Sequence, residues 1–187
     1  INPRPNLSAI EETYDDDYSK HYIKKADKKL ARCRRWVNRV QRRFVKSGRW
    51  LDVGCSAGFV VKAAELAGFD AYGVEFERGA VKYANETLKL PNVVLGTLES
   101  QHYPDNFFDV VSLYDVIEHV PELNAVVAEL ARILAPDGVI EIRTPDLGPW
   151  STPKDLSQWK EVKPSEHLYY FDRTTLPKLF TKHHLVV

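Results

Sequence analysis

Hydrophobic and polar residues follow two alternating patterns along the chain, one typical of buried strands and the other of amphipathic helices. The segments between the strands carry apolar residues at three- and four-residue spacing, as in Leu123 to Leu134. This alternation predicts an α/β fold, a doubly wound and mostly parallel sheet with helices on both faces, in three αβα layers. The expected strands are residues 50–53, 70–75, 93–95, 107–113 and 139–143.

A long apolar stripe precedes the first strand. Residues 18–46 contain no Gly or Pro, and apolar residues recur there from Ile23 to Phe44 at alternating steps of three and four. We expect residues 1–48 to form an extended arm and an added N-terminal helix packed on the core, and residues 49–187 to form the main part of a single domain. Basic residues cover the other helix faces. They are consistent with a solvated face, a phosphate-bearing substrate, nucleic acid or a self-pairing helix.

The segments beyond the third strand are less regular. Pro136, Asp137 and Gly138 predict a turn before the fifth strand. Residues 144–165 contain four prolines and two tryptophans, and this composition suggests a lid over a site. Residues 173–183 have helical spacing, and residues 185–187 begin an apolar run that predicts a final strand.

Composition excludes several classes of protein. The 187 residues are 44% apolar and 28% charged with a formal net charge of zero, which is ordinary for a globular protein. No apolar run approaches 18 residues, so we expect no membrane span. Cys33 and Cys55 give no disulfide framework and no zinc pattern, so we expect no metal site and a reducing, cytoplasmic setting.

A glycine-containing loop follows the first strand and is the first candidate for a cofactor site. Asp52, Gly54 and Gly58 stand at the spacing Asp-x-Gly-x-x-x-Gly, and a helical pattern follows. Glycines let a backbone approach a ligand closely, and the helix N-terminus offers N–H groups to an anionic ligand. A dinucleotide fingerprint would need glycines where Ser56 and Phe59 stand, so that cofactor class is excluded.

An acid at the end of the second strand extends this candidate site. Glu75 follows Asp52 at about the 20-residue distance at which an acid accepts hydrogen bonds from ribose hydroxyls. Phe76 then lies beside the adenine of a nucleoside cofactor. The alternative is an ordinary surface acid after a strand.

Seven motifs between residues 50 and 187 together resemble the class I S-adenosylmethionine-dependent methyltransferases. The resemblance is to the bacterial branch that methylates sugars, quinone precursors and other small molecules. It implies a Rossmann-like fold, S-adenosylmethionine as cofactor and S-adenosylhomocysteine as product. Family members add an antiparallel hairpin after the point where this chain stops, so we expect the C-terminal hairpin to be truncated. The motifs are LDVGCSAG, GVEFE, GTLE, FFDVVSLYDVIEHVP, LAPDG, RTPD and EHLYYF.

The resemblance also implies a set of cofactor-binding residues. Ser56 stands where the family usually has its middle glycine, and Thr97 stands where an Asp often pairs with the adenine amino group. Glu99 is the alternative for that role. The expected cofactor-binding residues are Asp52, Gly54, Cys55, Ser56, Gly58, Glu75, Phe76, Thr97, Leu98, Glu99, Tyr114 and Asp115.

Two histidines are candidates for the chemistry. A hydroxyl acceptor benefits from a base near pH 7, and histidine suits that pH. His119 follows the fourth strand and His167 follows the irregular loop. The alternative for His119 is a histidine that only holds the loop by hydrogen bonds. We expect the acceptor pocket to be lined by Trp150, Tyr169 and Tyr170.

The sequence therefore predicts methyl transfer from S-adenosylmethionine to a small-molecule acceptor, as O-methylation. Two alternatives are a catalytically silent S-adenosylmethionine-binding module and an RNA methyltransferase that uses the basic helix. Nucleic acid is not an expected partner, because the chain has neither an Asn/Asp-Pro-Pro-aromatic motif after the fourth strand nor a Pro-Cys nucleophile. The sequence indicates neither the acceptor nor the oligomeric state.

Overall fold

Five parallel strands form the centre of the structure, a computed structural model that describes residues 24–148, 152–153, 155–163 and 166–187. The strands are β1 (Arg49–Val53), β2 (Asp70–Glu75), β3 (Val93–Leu95), β4 (Phe108–Tyr114) and β5 (Leu134–Arg143). The α-helices are α1 (Ala26–Arg43), α2 (Phe59–Leu66), α3 (Arg78–Glu86), α4 (Leu123–Ile133) and α5 (Thr175–Thr181). Two short 3₁₀ helices span Glu99–Gln101 and Leu156–Gln158.

The strand order explains where a ligand can bind. The order is β3-β2-β1-β4-β5, and every pairing is parallel. The chain winds outward from β1 to β3 and then returns to place β4 on the other side of β1. The carboxyl ends of β1 and β4 are therefore neighbours, with Val53 paired to Leu113. A doubly wound sheet opens a ligand crevice at this switch point.

Alternate residues of β1 belong to the two faces of the sheet. Trp50 packs into a cluster with residues of α1, α2 and α3. Leu51 and Val53 pack into a second cluster with residues of α4 and α5. Because both faces are covered, the strands are apolar on both sides, and the predicted three-layer αβα arrangement is confirmed.

Helix α1 covers the first face through part of the predicted stripe. Cys33, Val37 and Val40 are buried against the core. Phe44 continues the stripe in sequence but caps the helix and is 57% exposed, so its expected burial is wrong. The predicted N-terminal arm and the first residues of the predicted helix lie outside the described residues.

The last third of the chain differs most from expectation. Strand β5 begins directly after α4, because Leu134 already pairs with Phe108 and pairing resumes at Val139. The predicted turn at residues 136–138 is therefore an irregularity within the strand. Residues 185–187 form no strand, and Val186 is fully exposed. No helix in the described part of the chain combines the length and apolar character that crossing a membrane requires.

Candidate functional site

The loop after β1 has a backbone that requires its glycines. Gly54 and Gly58 have φ values of +67° and +80°, in the left-handed region that favours glycine. A Cβ at Gly54 would lie 2.5 Å from Val116 Cγ2, and one at Gly58 would lie 2.9 Å from Leu90 Cδ1. Ser56 also has a positive φ, of +47°. This conformation gives a physical reason for a glycine at the middle position of related loops.

Glu75 joins the loops that follow β1 and β2. Its carboxylate accepts backbone N–H bonds from Ser56 (2.8 Å), Phe76 (2.8 Å) and Glu77 (2.9 Å). The residue is only 6% exposed, and burial raises its pKa while the three N–H donors oppose that shift. Oε2 has one of these partners and Oε1 has two, so Oε2 keeps a lone pair for a further donor.

Asp52 lies beneath the loop. Its Oδ1 accepts a 2.6 Å bond from the Ser112 hydroxyl, which itself accepts from Trp50 Nε1 at 2.8 Å. Burial raises the pKa of Asp52 to about 7. Sequence reasoning did not single out Ser112, because a serine inside an apolar strand carries no motif signal.

Cys55 fills space between the loop and the sheet. Its N–H donates to Val74 O, and its Sγ would be 2.7 Å from a Cβ placed at Gly73. Burial raises the pKa of the thiol well above its usual value, which disfavours the thiolate that a nucleophile requires. The close approach of Cys55 Sγ also explains why β2 has a glycine at position 73.

The edge formed by β2 and β3 carries the residues predicted to meet the adenine. Phe76 is 37% exposed beside Glu75. The N–H of Thr97 already donates to Ser100 Oγ at 3.1 Å, Leu98 is buried in the core, and Glu99 is exposed at the start of a 3₁₀ helix.

Glu77, which the sequence analysis did not select, caps α3. Its carboxylate accepts from the N–H groups of Gly79 at 2.8 Å and Ala80 at 2.7 Å. The cap fixes the helix that follows Phe76.

Tyr114 and Asp115 follow directly on β4. The Tyr114 ring packs against Trp36 of α1 with centroids 4.9 Å apart, and its buried hydroxyl has no hydrogen-bond partner among the described residues. Burial raises the pKa of that hydroxyl. Asp115 has a φ of +58° and forms an exposed ion pair with Arg143 at 3.0 Å. Helix α1 thus reaches the end of β4, which its amphipathic pattern alone could not show.

The structure brings together the two histidines chosen from the sequence. The ring centroids of His119 and His167 are 4.8 Å apart. Glu118 lies with them, and one donor atom from each of the three residues is within 4.8 Å of the others. Burial lowers the pKa of His167 and raises that of Glu118. The sequence placed Glu118 only as a neighbour of His119. His167 is 48 residues from His119 in the chain, and only the folded structure brings the two histidines together.

The backbone of Glu118 holds the two segments in contact. Its carbonyl accepts from the N–H groups of Leu168 at 2.8 Å and Tyr169 at 3.2 Å. The cluster is also near the glycine loop, since Val116, two residues before Glu118, is the residue that a Cβ at Gly54 would strike.

Of the residues predicted to line an acceptor pocket, Tyr170 places its ring beside this cluster, with its centroid 5.8 Å from that of His167. Its hydroxyl accepts from Lys163 N at 3.0 Å. The Tyr169 hydroxyl donates to Pro121 O at 3.1 Å, which anchors it below the loop. Trp150 lies outside the described residues.

Comparison with known proteins gives the same fold and a family. The chain is 31% identical over 110 residues to a ubiquinone biosynthesis O-methyltransferase of Psychrobacter arcticus, covering 54% of this chain and 42% of that protein. A match to the corresponding Photobacterium profundum protein is 27% identical and covers 67% of this chain and 62% of that one. The chain thus spans less than two thirds of the length of these curated relatives.

A solved structure shares the fold at lower identity. A methyltransferase from Archaeoglobus fulgidus described as S-adenosylmethionine-dependent superposes with a TM-score of 0.68 at 21% identity, over 85% of this chain and 68% of that one. A family model described as a methyltransferase domain matches residues 22–187. Since that match spans most of the 187 residues, the chain belongs to the methyltransferase domain family.

Proposed function

We propose that this chain transfers a methyl group from S-adenosylmethionine to a hydroxyl of a small-molecule acceptor. The observation that carries the proposal is the Glu75 carboxylate, held by three backbone N–H groups at the mouth of the glycine loop. Family membership supports the same conclusion. The O-methyltransferase names of the relatives favour an oxygen acceptor.

The residues of the loop fit this cofactor. At Gly54 and Gly58 the backbone has a positive φ and an added Cβ would meet neighbouring side chains, so the tight loop requires glycine at both positions. Glu75 retains acceptor capacity for ribose hydroxyls. Phe76, partly exposed beside it, offers an apolar face to the adenine. Gly54, Ser56, Gly58, Glu75 and Phe76 are therefore the proposed cofactor contacts, with Asp52 and Cys55 supporting them from below.

The bound cofactor supplies a methyl group already activated by a positively charged sulfur. The protein must then hold an acceptor oxygen in line with that methyl and assist the loss of the acceptor's proton. Glu118, His119 and His167 form a cluster that follows Val116, the residue that contacts the glycine loop, and they are the groups proposed for this task. Tyr170 is the proposed wall of the acceptor pocket.

Calorimetry with S-adenosylhomocysteine tests the cofactor assignment. We expect binding at about micromolar strength, near −8 kcal/mol. Glu75→Gln should weaken it by about 1–3 kcal/mol, because a charged acceptor of the ribose hydroxyls is lost. Glu65→Gln is the matched control, since Glu65 is an exposed acid of α2 that pairs with Lys62. It should bind like the unaltered chain.

A screen of sugars, phenols and amines for release of S-adenosylhomocysteine then tests turnover. Release with a hydroxyl acceptor supports O-methylation, whereas release only with amines moves the reaction to nitrogen. Binding without release from any acceptor class favours the silent binding module. Binding of NAD without S-adenosylhomocysteine contradicts the proposal altogether.

A further inference from the structure

Trp36 of α1 carries two arginine side chains at the carboxyl ends of β4 and β5. The guanidinium carbon of Arg32 lies 5.1 Å from the centroid of the Trp36 ring, and that of Arg143 lies 4.8 Å from it. The same ring packs against Tyr114, the last residue of β4, with centroids 4.9 Å apart. Arginine stacks on aromatic rings and still presents its fork of N–H donors to carboxylates and phosphates. Trp36 therefore holds two cations at the edge of the sheet where the proposed site lies.

Both guanidinium groups keep donors for a ligand. Nη2 of Arg143 donates to Asp115 Oδ2 at 3.0 Å, and both side chains of this ion pair are about half exposed. An exposed pair of this kind contributes little free energy, so it competes weakly with a ligand for the remaining donors. Within the described part of the chain, Arg32 contacts the Trp36 ring and forms no hydrogen bond or ion pair.

The surface around this ring has an excess of positive charge. The two acids at the ends of β4 and β5 are already paired, Asp115 with Arg143 and Glu141 with Arg39. The first half of α1 is rich in lysine and arginine, and Asp27 is its one acid. An anion that approaches the carboxyl ends of β4 and β5 therefore meets cations that the neighbouring acids do not neutralise.

Arg143 lies on the acceptor side of the proposed site. It ends β5, and β4 and β1 separate that strand from β2, which ends at Glu75. The next residue, Thr144, donates its hydroxyl hydrogen to Glu118, a member of the cluster proposed to take the proton of the acceptor. A group bound by Arg143 is therefore next to the acceptor cluster and away from the carboxylate proposed to bind the ribose.

We propose that Arg32 and Arg143, oriented by Trp36, bind an anionic group of the methyl acceptor, a carboxylate or a phosphate. The inference rests on the proposed function and specifies its substrate class, a hydroxyl compound that carries a negative charge. Guanidinium forks match the paired oxygens of both anions. Holding the acceptor by its charged end leaves its hydroxyl to be positioned at the neighbouring cluster. The sequence left a phosphate-bearing substrate open for the basic helix, but it did not connect that helix with Arg143.

Calorimetry with charged and neutral compounds tests the arginine pair. The full 187-residue chain, saturated with S-adenosylhomocysteine, is titrated with gallate and its neutral methyl ester, and separately with glycerol phosphate and glycerol. We expect the charged member of at least one pair to bind about tenfold more tightly than its neutral partner, because the neutral compound cannot form a charge-assisted hydrogen bond. The two pairs distinguish a carboxylate from a phosphate.

Variants of the three residues assign this preference to the site. Arg143→Gln and Arg32→Gln should each reduce the preference for the charged compound by about fivefold to tenfold. Trp36→Leu keeps both charges but removes the ring that orients them, so the preference should fall, whereas Trp36→Phe retains an aromatic face and should keep most of it. The matched control is Arg42→Gln, which removes an exposed charge in the last turn of the same helix and should leave the preference unchanged.

The affinities of the same variants for S-adenosylhomocysteine and methylthioadenosine identify the anion, with circular dichroism as the check of folding. Methylthioadenosine lacks the amino-acid part of the cofactor. Weaker binding of S-adenosylhomocysteine alone in the arginine variants would assign the pair to the carboxylate of the cofactor and overturn the acceptor site.

Three other results would also overturn the acceptor site. They are equal affinity for the charged and neutral compounds, no binding of either anion, and a preference that is unchanged in both arginine variants. A preference that depends on the arginines, in a chain that does not bind S-adenosylhomocysteine, would contradict the proposed function and leave the anion site standing.

Discussion

Glu75 and Glu118 are both buried glutamates at the carboxyl edge of the sheet, yet their surroundings differ. Glu75 accepts three backbone N–H bonds and is 6% exposed. Glu118 is 1% exposed, accepts one hydroxyl and has an oxygen with no partner. Burial raises the pKa of both, but only Glu75 has three backbone donors arranged to favour its charged form.

The difference separates a pre-formed site from one that is completed by its ligand. Around Glu75 the backbone supplies every partner, so the loops after β1 and β2 are fixed before a cofactor arrives. Around Glu118 the fold leaves buried polar atoms unpaired, which costs stability that a ligand can restore. The following predictions test this contrast, from the largest expected effect to the smallest.

Gly54→Ala should cost about 3 kcal/mol of unfolding free energy. About 1–2 kcal/mol comes from the left-handed backbone, and the rest comes from overlap with Val116. Gly68→Ala is the control, because Gly68 also has a positive φ, of +91°, but nothing lies within 4 Å of its added Cβ. It should cost about 1 kcal/mol. Urea unfolding measures both, and equal costs would show that the loop yields and is not pre-formed.

Glu75→Gln and Glu118→Gln should differ in their effect on the free energy of unfolding. In the Glu75→Gln variant the new amide nitrogen must face at least one of the three N–H donors and leave it unpaired, which costs about 2 kcal/mol. The Glu118→Gln variant keeps the bond from Thr144 and loses a buried carboxylate, so the change should stay within about 0.5 kcal/mol. Urea unfolding measures both. Similar losses of unfolding free energy in the two variants would show that the surroundings of Glu75 and Glu118 do not differ in this way.

The same contrast limits what the sequence could predict. The positions of the strands and the Glu75 site follow from local signals, since a strand, a glycine loop and a strand-end acid are close together in the chain. The partners of Glu118 are not local: His167 is 49 residues away, and Thr144 is 26 residues away. The expected strand at residues 185–187 was wrong, because an apolar triplet forms a strand only where a neighbour is available to pair with it.

Asp52 stands between the two glutamates, with a single hydroxyl partner. Its pKa is about 7 in the folded chain against an ordinary value of 3.8, so the folded state keeps a proton that the unfolded state releases. Unfolding free energy should therefore fall as pH rises from about 4 to 7 and then level off. Asp52→Asn should remove on the order of 2–3 kcal/mol of that fall between about pH 5 and pH 8.

Urea unfolding across this pH range measures the Asp52 effect. Ser112→Ala tests it in the opposite direction, because the Ser112 hydroxyl lowers the pKa of Asp52 and its loss should steepen the pH dependence. Glu75 and Glu118 also have raised pKa values, so Asp52→Asn should flatten the profile without abolishing its slope. A profile unchanged by Asp52→Asn would mean that Asp52 is already charged in the folded chain at the acidic end of the range.

We expect the basic face of α1 to have the smallest effect on the Glu75 and Glu118 sites. Arg34, Arg35, Arg42 and Arg43 are exposed, and part of this face lines a groove with Asn38 and Arg39. Reversing the four arginines to Glu should change S-adenosylhomocysteine affinity by less than about twofold, because exposed charges interact weakly with a site on the sheet edge.

Before reversal, RNA and DNA should bind only at about 10⁻⁴–10⁻⁶ M at physiological salt, without preference and with a steep salt dependence. The double variant Lys82→Glu and Lys89→Glu reverses exposed charges away from α1 and is the control. Filter binding over a salt series measures the effect. Tight RNA binding that survives physiological salt, is lost on reversing the arginines and is retained in the control would instead make α1 a phosphate track and favour an RNA acceptor.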